Sequence, residues 1–288
     1  YEFIRRALLA CVMIGFTNGF LGGYVVLRRL ALMADALSHS LLPGLALAAV
    51  FVGLSTGGLL LGGLVAAAFV ALGGAMISRI SRIKDETAIA SLYIVAFALG
   101  VLLIKYARVR ISLDHFLFGN ILGIGDSDLW ISFGISAVIL VSLTAIQRPL
   151  LLAMFDPTVA ASLGVRVDFL LVALVGFIVL AMISSLQAVG VLLSLGLLVL
   201  PAATLYLLTD RYPVMLWGGA FLGTIGAVAG LLLSYHANLP AGPAIVLLLG
   251  ACFVGACLFS PKYGALARRL RKSHLHEESL RRWRDASK

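Results

Sequence analysis

Residues 169–208 read FLLVALVGFIVLAMISSLQAVGVLLSLGLLVLPAATLYLL, without one Asp, Glu, Lys, Arg or His. A helix needs about 20 apolar residues to cross the hydrocarbon core of a bilayer. The run therefore reads as two crossings, 169–186 and 188–208. Working outward, the same criterion marks 7–27, 35–54, 58–78, 87–104, 129–146, 214–235 and 243–260. Helix formers mixed with Gly and other small residues suit helices that pack closely in lipid. The alternating ten-residue strands of a membrane barrel are missing. The expected fold class is all-α, a polytopic transmembrane helical bundle of eight or nine spans.

Composition agrees. The 288 residues are 61% hydrophobic and 12% charged, with mean hydropathy +1.08, whereas soluble domains carry about 25% charged residues. So little polar surface excludes a soluble enzyme, a nucleic-acid binder and a secreted disulfide scaffold. The net charge of +9 reads as cytoplasmic loops facing anionic headgroups. Cys11, Cys252 and Cys257 lie in apolar stretches without metal-ligand spacing and read as small buried hydrophobes. The first apolar run suits a retained span better than the core of a signal peptide.

Taking alternate ends of the spans places all of the 22 Lys and Arg on one side except Arg5, Arg6, Lys105, Arg108 and Arg110. The positive-inside rule makes that side cytoplasmic, together with the C-terminus. If 35–54 is re-entrant, Arg5 and Arg6 change places with Arg28 and Arg29, so charge leaves eight and nine crossings both open. The expected division is a transmembrane permease domain over 1–264 and a charged cytoplasmic tail over 265–288. The tail's His274, His276, Glu277 and Glu278 read as a solvated cluster rather than a metal site.

Between the fifth and sixth spans, Asp156 is a good N-cap, Pro157 suits the first helical position and Gly164 can end a helix. The segment 156–164 thus reads as a two-turn helix on the cytoplasmic side, with Ala160 within it. The segment 111–122, carrying Asp114 and His115, is a second interfacial candidate on the opposite face.

Within the spans, the only ionisable acid, base or imidazole groups are Asp35 and His39. A charged side chain at membrane depth costs several kcal/mol, so it points to function. Positions i and i+4 share a helical face with Cβ atoms about 5–6 Å apart, so both side chains can touch one ion. A carboxylate oxygen and an imidazole nitrogen suit first-row divalent metals. The imidazole must be neutral to coordinate, so acid weakens binding. Two ligands do not close a site; a two-fold dimer would supply two more, and two aspartates would neutralise a divalent cation. The competing reading is an Asp–His hydrogen bond that ties helices together. Ser38 is a possible second-shell donor, and Pro43-Gly44 can bend the helix and free carbonyls. His236, at the outer end of the eighth span, and the Asp114-His115 pair are possible entrance residues, though each also reads as an ordinary interfacial group.

No Lys follows a Gly, so the phosphate-cradling G-x-x-x-x-G-K-[ST] loop cannot occur and the chain has no ATPase site of that kind. His276-Glu277 has Leu280 where a zinc protease needs its second His. No permanently bound cofactor is expected.

The run Leu27–Gly44 resembles the signature of the divalent-metal permease subunits of ABC importers. So do Glu86-Thr87-Ala88-Ile89-Ala90, Phe118-Gly119-Asn120-Ile121-Leu122, Gln187-Ala188-Val189-Gly190, Leu200-Pro201-Ala202-Ala203 and Pro240-Ala241-Gly242-Pro243. The resemblance spans roughly residues 1–264. It implies a type II ABC importer-like bundle in the bacterial cytoplasmic (inner) membrane, paired with a second permease copy or paralogue. It also implies two cytoplasmic ABC ATPase subunits and a periplasmic or lipid-anchored solute-binding protein that delivers Mn²⁺, Zn²⁺ or Fe²⁺. The family's metal residues map onto Asp35 and His39, and its coupling helix onto Asp156, Pro157, Ala160 and Gly164. Leu42-Pro43-Gly44 is closer to manganese and iron members. At any such ligand set affinity alone favours Zn²⁺ over Mn²⁺, so selectivity falls to the delivering protein and to site geometry. The alternative is an ion-coupled secondary metal transporter without an ATPase. Such a protein is expected to carry several intramembrane carboxylates or an inverted repeat, and the sequence has one carboxylate and no evident repeat.

Overall fold

The computed structural model describes residues 2–51, 53, 56–106, 119, 121–260 and 264. Its helices are α1 (Glu2–Leu27), α2 (Ala31–Phe51), α3 (Thr56–Ile80), α4 (Asp85–Tyr106), α5 (Asp126–Phe155), α6 (Pro157–Ser162), α7 (Val167–Leu208), α8 (Tyr212–Ala237) and α9 (Ala241–Phe259), with a 3₁₀ turn at Ile121–Gly123. Among the described residues nine stretches are long and apolar enough to cross a membrane. Asp114, His115, Asn120 and the tail over 265–288 lie outside the described residues.

The nine stretches come from eight long helices because α7 folds back on itself. Gly190 has φ 75° and ψ 171°, a conformation in which a side chain is strained. The hydroxyls of Ser185 and Ser194 are hydrogen-bonded. In a continuous helix residues nine apart stand about 13.5 Å from each other, so this bond requires two antiparallel arms, Val167–Leu186 and Val189–Leu208. The reversal falls a few residues beyond the break expected at 187. Gly119, at φ +66°, packs its backbone onto Val189 and Gly190, leaving no room for a Cβ.

Contacts between helix ends fix their relative sides. Arg6 donates to Asp126 through Nη2 at 2.9 Å, with Nε 2.8 Å from the other carboxylate oxygen, so α1 and α5 start on one face. Leu27, Phe155, Tyr206, Thr209 and Tyr212 line a common cavity, so α1, α5 and α7 end, and α8 begins, on the other. Ser260 Oγ donates to Leu207 O, bringing the end of α9 there too. Pro43 of α2 meets Gly100 of α4, whereas His39 meets Tyr93 and Phe97. These contacts advance in the same direction along both chains, so α2 runs parallel to α4. Gly74 against Ile89 makes α3 antiparallel to α4. α2 thus runs from the face on which α1 ends towards the opposite one, and α1 begins and α9 ends on opposite faces. The face holding Arg28, Arg29, Arg79, Arg82, Lys84, Arg166 and Arg211 is the basic face.

The expected span 129–146 is extended to Asp126–Phe155, running through Pro149. Proline is tolerated in membrane helices where neighbours re-satisfy the freed carbonyl. α2 likewise continues through Pro43 instead of breaking. Small residues carry the packing. Gly15 and Gly19 of α1 abut Gly223 and Gly219 of α8, and Gly44 of α2 abuts Gly62 of α3, each too close for a Cβ. Cys11 is buried as expected, but Cys252 is exposed and Cys257 only partly covered. Both belong to α9, which is apolar all round and turns one side outward.

Candidate functional site

Asp35 and His39 lie one turn apart on α2, about 6 Å and 12 Å along the helix from Ala31, nearer the basic face than the opposite one. Nε2 of His39 is 3.6 Å from Oδ1 of Asp35, too far for a hydrogen bond. Two ligand atoms each about 2.1 Å from one ion stand roughly 3.0 Å apart at a right angle and roughly 3.4 Å at a tetrahedral one. The observed separation is close to the tetrahedral value and lies beyond the hydrogen-bonding range of about 2.7–3.2 Å. The side chains keep 40% and 30% of their surface exposed on a helix whose next residues, Ser40 to Ala46, are all buried. Among the described residues no three His, Cys, Asp or Glu side chains converge, so no third such group stands beside this pair there.

Ser38 is not a donor to either ligand atom. Its hydroxyl bonds the Asp35 carbonyl at 2.7 Å, just as Ser40 bonds Leu37 O at 2.7 Å. A buried hydroxyl in an apolar helix takes the nearest carbonyl of the preceding turn. His236 is exposed at the end of α8, on the face opposite the basic one, its ring edge-on to Tyr235 at 5.5 Å. It is not brought near Asp35. Sequence reading missed Tyr93 and Phe97 of α4, whose rings lie 6.1 Å and 5.7 Å from the His39 ring; no motif marks them.

The segment between α5 and α7 is built by local signals. Asp156 Oδ1 accepts from Val159 N at 3.0 Å, and Pro157 opens α6. Gly164 at φ +80° closes it, with Val165 N bonded to Ala160 O and Gly164 N to Ala161 O, both at 3.0 Å. This pairing is a Schellman stop. Ala160 is fully buried, whereas Val159 and Leu163, one turn apart, are 44% and 68% exposed. Ala160 therefore anchors α6 to the bundle, and the outward apolar ridge is Val159 and Leu163, neither singled out by sequence.

The run Gly53-Leu54-Ser55-Thr56-Gly57 spells G-x-S-x-G. That pattern marks a nucleophile on a strand-to-helix turn; here Thr56 and Gly57 lie in the first turn of α3, and Leu54 and Ser55 lie outside the described residues.

Among the described residues the bundle thus combines nine stretches apolar enough to cross a membrane, the Asp35–His39 pair on α2 and a capped helix on its basic face. The profile of the ABC 3 transport family matches residues 1–260. The chain belongs to that family. It is 38% identical over 280 residues to the manganese transport system membrane protein MntC of Halalkalibacterium halodurans, covering 97% of this chain and 94% of that one. It is 34% identical over 276 residues to the manganese import system permease protein ScaB of Streptococcus gordonii, covering 94% and 96%. Among solved structures, PsaBC from Streptococcus pneumoniae in complex with Fab superposes with TM-score 0.84 at 33% identity, covering 95% of this chain and 96% of that one. The all-α, type II importer-like bundle and the metal-permease membership expected from sequence are thus both met. The chain is a multi-pass permease of the bacterial inner membrane.

Proposed function

We propose that this chain is the membrane subunit of an ATP-driven Mn²⁺ importer, in which Asp35 and His39 receive the cation within the membrane. The observation that carries the reading is their side chains at 3.6 Å, without a mutual hydrogen bond and open on one side. A single pair offers one negative charge to a divalent ion, and an uncompensated charge is costly where the dielectric constant is low. A second permease copy facing this side of α2 supplies the missing carboxylate and imidazole. The manganese names of the relatives support Mn²⁺ as cargo over Zn²⁺ and Fe²⁺. In this reading a solute-binding protein delivers the ion at the face opposite the basic one. Two cytoplasmic ATPase subunits grip α6 through Val159 and Leu163, and residues 265–288 form a cytoplasmic tail outside the 1–264 permease body. ATP binding and hydrolysis shift α6 and switch exposure of the Asp35/His39 site.

The test is uptake of radioactive manganese, zinc and iron in cells lacking other importers. Asp35→Ala and His39→Ala are expected to abolish manganese uptake at unchanged membrane abundance. Normal uptake by both variants refutes the site; uptake confined to zinc or iron refutes the cargo.

A further inference from the structure

The position of the His39 ring needs a cause, because its own helix does not supply one. Among the described residues the imidazole has no hydrogen bond, and Oδ1 of Asp35 stands 3.6 Å from its Nε2. An unrestrained imidazole four residues after a carboxylate would close to an N–H···O bond of about 2.7–3.2 Å. That closure would commit a carboxylate lone pair and fix the ring proton on Nε2, the nitrogen facing Asp35, leaving no lone pair there for a cation.

Two rings from α4 occupy the space around the imidazole. Tyr93 lies 6.1 Å away with its plane inclined by 23°, close to parallel. Phe97, one turn further on, stands edge-on at 5.7 Å and 83°. Their reach is set by how closely α4 approaches α2. A Cβ on Gly100 would stand 2.7 Å from Pro43 N and 2.8 Å from Pro43 Cα, so only glycine permits this contact, one turn along from both Phe97 and His39. Ile89 packed on Gly74 secures the near end of α4 against α3.

We propose that Tyr93 and Phe97 are positioning residues for the cation. They hold the His39 ring off Asp35, so that a nitrogen and an oxygen lone pair face the same point at chelating distance. The proposal rests on the reading of Asp35 and His39 as cation ligands, and it adds α4 to the elements that shape the site. It also gives a physical reason for two ring faces beside the imidazole, which fill that space without themselves claiming the lone pairs that the ion needs.

The test is titration of the purified full-length permease in lipid nanodiscs with Mn²⁺, following loss of the free-ion electron paramagnetic resonance signal. The Asp35→Ala/His39→Ala double variant defines background binding. Tyr93→Ala and Phe97→Ala are expected to weaken the remaining sites by about three- to tenfold, the range that one aromatic contact supports, while Tyr93→Phe and Phe97→Tyr stay within about twofold of the parent because the rings remain. Site number and affinity are read separately, so a variant that merely folds poorly loses sites without a change in Kd. Unchanged Kd in both alanine variants overturns the positioning role and leaves the ligand pair standing. Equal weakening by Tyr93→Phe and Tyr93→Ala also overturns it, since the phenol oxygen would then be the active part. Mn²⁺ binding that survives undiminished in the double variant removes the ligand reading itself.

Discussion

Gly44→Ala tests the helix packing that carries the site. A methyl added at Gly44 would stand 2.6 Å from both the Gly62 carbonyl carbon and Ala66 Cβ, with Gly62 O closer still, and real Cβ atoms essentially never approach within 3.0 Å. The obstructing atoms are backbone and a short side chain, so no rotamer change relieves them. α2 and α3 must part by about 0.5–1 Å, and overpacking of this kind costs about 1–3 kcal/mol. At about 2–4 °C per kcal/mol, the apparent melting midpoint of the detergent-purified protein should fall by several degrees. Gly134→Ala and Gly176→Ala, whose added methyls meet nothing within 4 Å, are the controls and should melt within about 2 °C of the parent. Gly62→Ala forces apart the same seam from the other side, so the double variant should lose clearly less than the sum of the singles. The shift occurs five residues after His39, and paired ligands need placement within about 0.5 Å, so manganese uptake per molecule should fall as well. Gly44→Ala melting with Gly134→Ala, at parental uptake, would refute the close α2–α3 approach.

Two further outcomes follow from local geometry. Gly190→Ala places a side chain at φ 75° and ψ 171°, a conformation costing about 1–3 kcal/mol for anything but glycine; an unchanged melting midpoint would mean that α7 reverses elsewhere. Val159→Asp with Leu163→Asp spares the Asp156 cap and the buried Ala160 anchor. It should cut stimulated hydrolysis by the co-expressed ATPase at least about tenfold, as loss of an interface hot spot does; full stimulation would dismiss α6 as the coupling element.

The crossings are legible in sequence because a bilayer imposes a one-dimensional demand, length without charge, and residues 169–208 state it directly. The α6 boundaries are legible for a different reason: Asp156, Pro157 and Gly164 act on backbone groups within one or two turns of themselves. The pairing of Asp35 with His39 follows from helical spacing alone. Where a signal depends on neighbours, the sequence is less informative. Pro149 suggests an end to α5 that surrounding helices override. Ser38 looks like a partner for Asp35's carboxylate until the preceding turn offers it a carbonyl.

Facing direction is harder still. In a soluble helix the apolar stripe marks the buried side, but spans such as α9 are apolar all round. Nothing in their hydrophobicity distinguishes lipid from protein, so the exposed Cys252 and the buried Ala256 are not separable by that criterion. Small residues carry part of the missing information, because only they let backbones touch; Gly15, Gly19, Gly44, Gly62 and Gly100 each mark a contact face, yet Gly134 and Gly176 look onto open space. A glycine in a span therefore permits close approach without requiring it, and which glycines are used depends on the register between helices. Tyr93 and Phe97 are unreadable for the same reason: nothing local to α4 points at His39, and only the contact of Gly100 with Pro43 slides those rings into place.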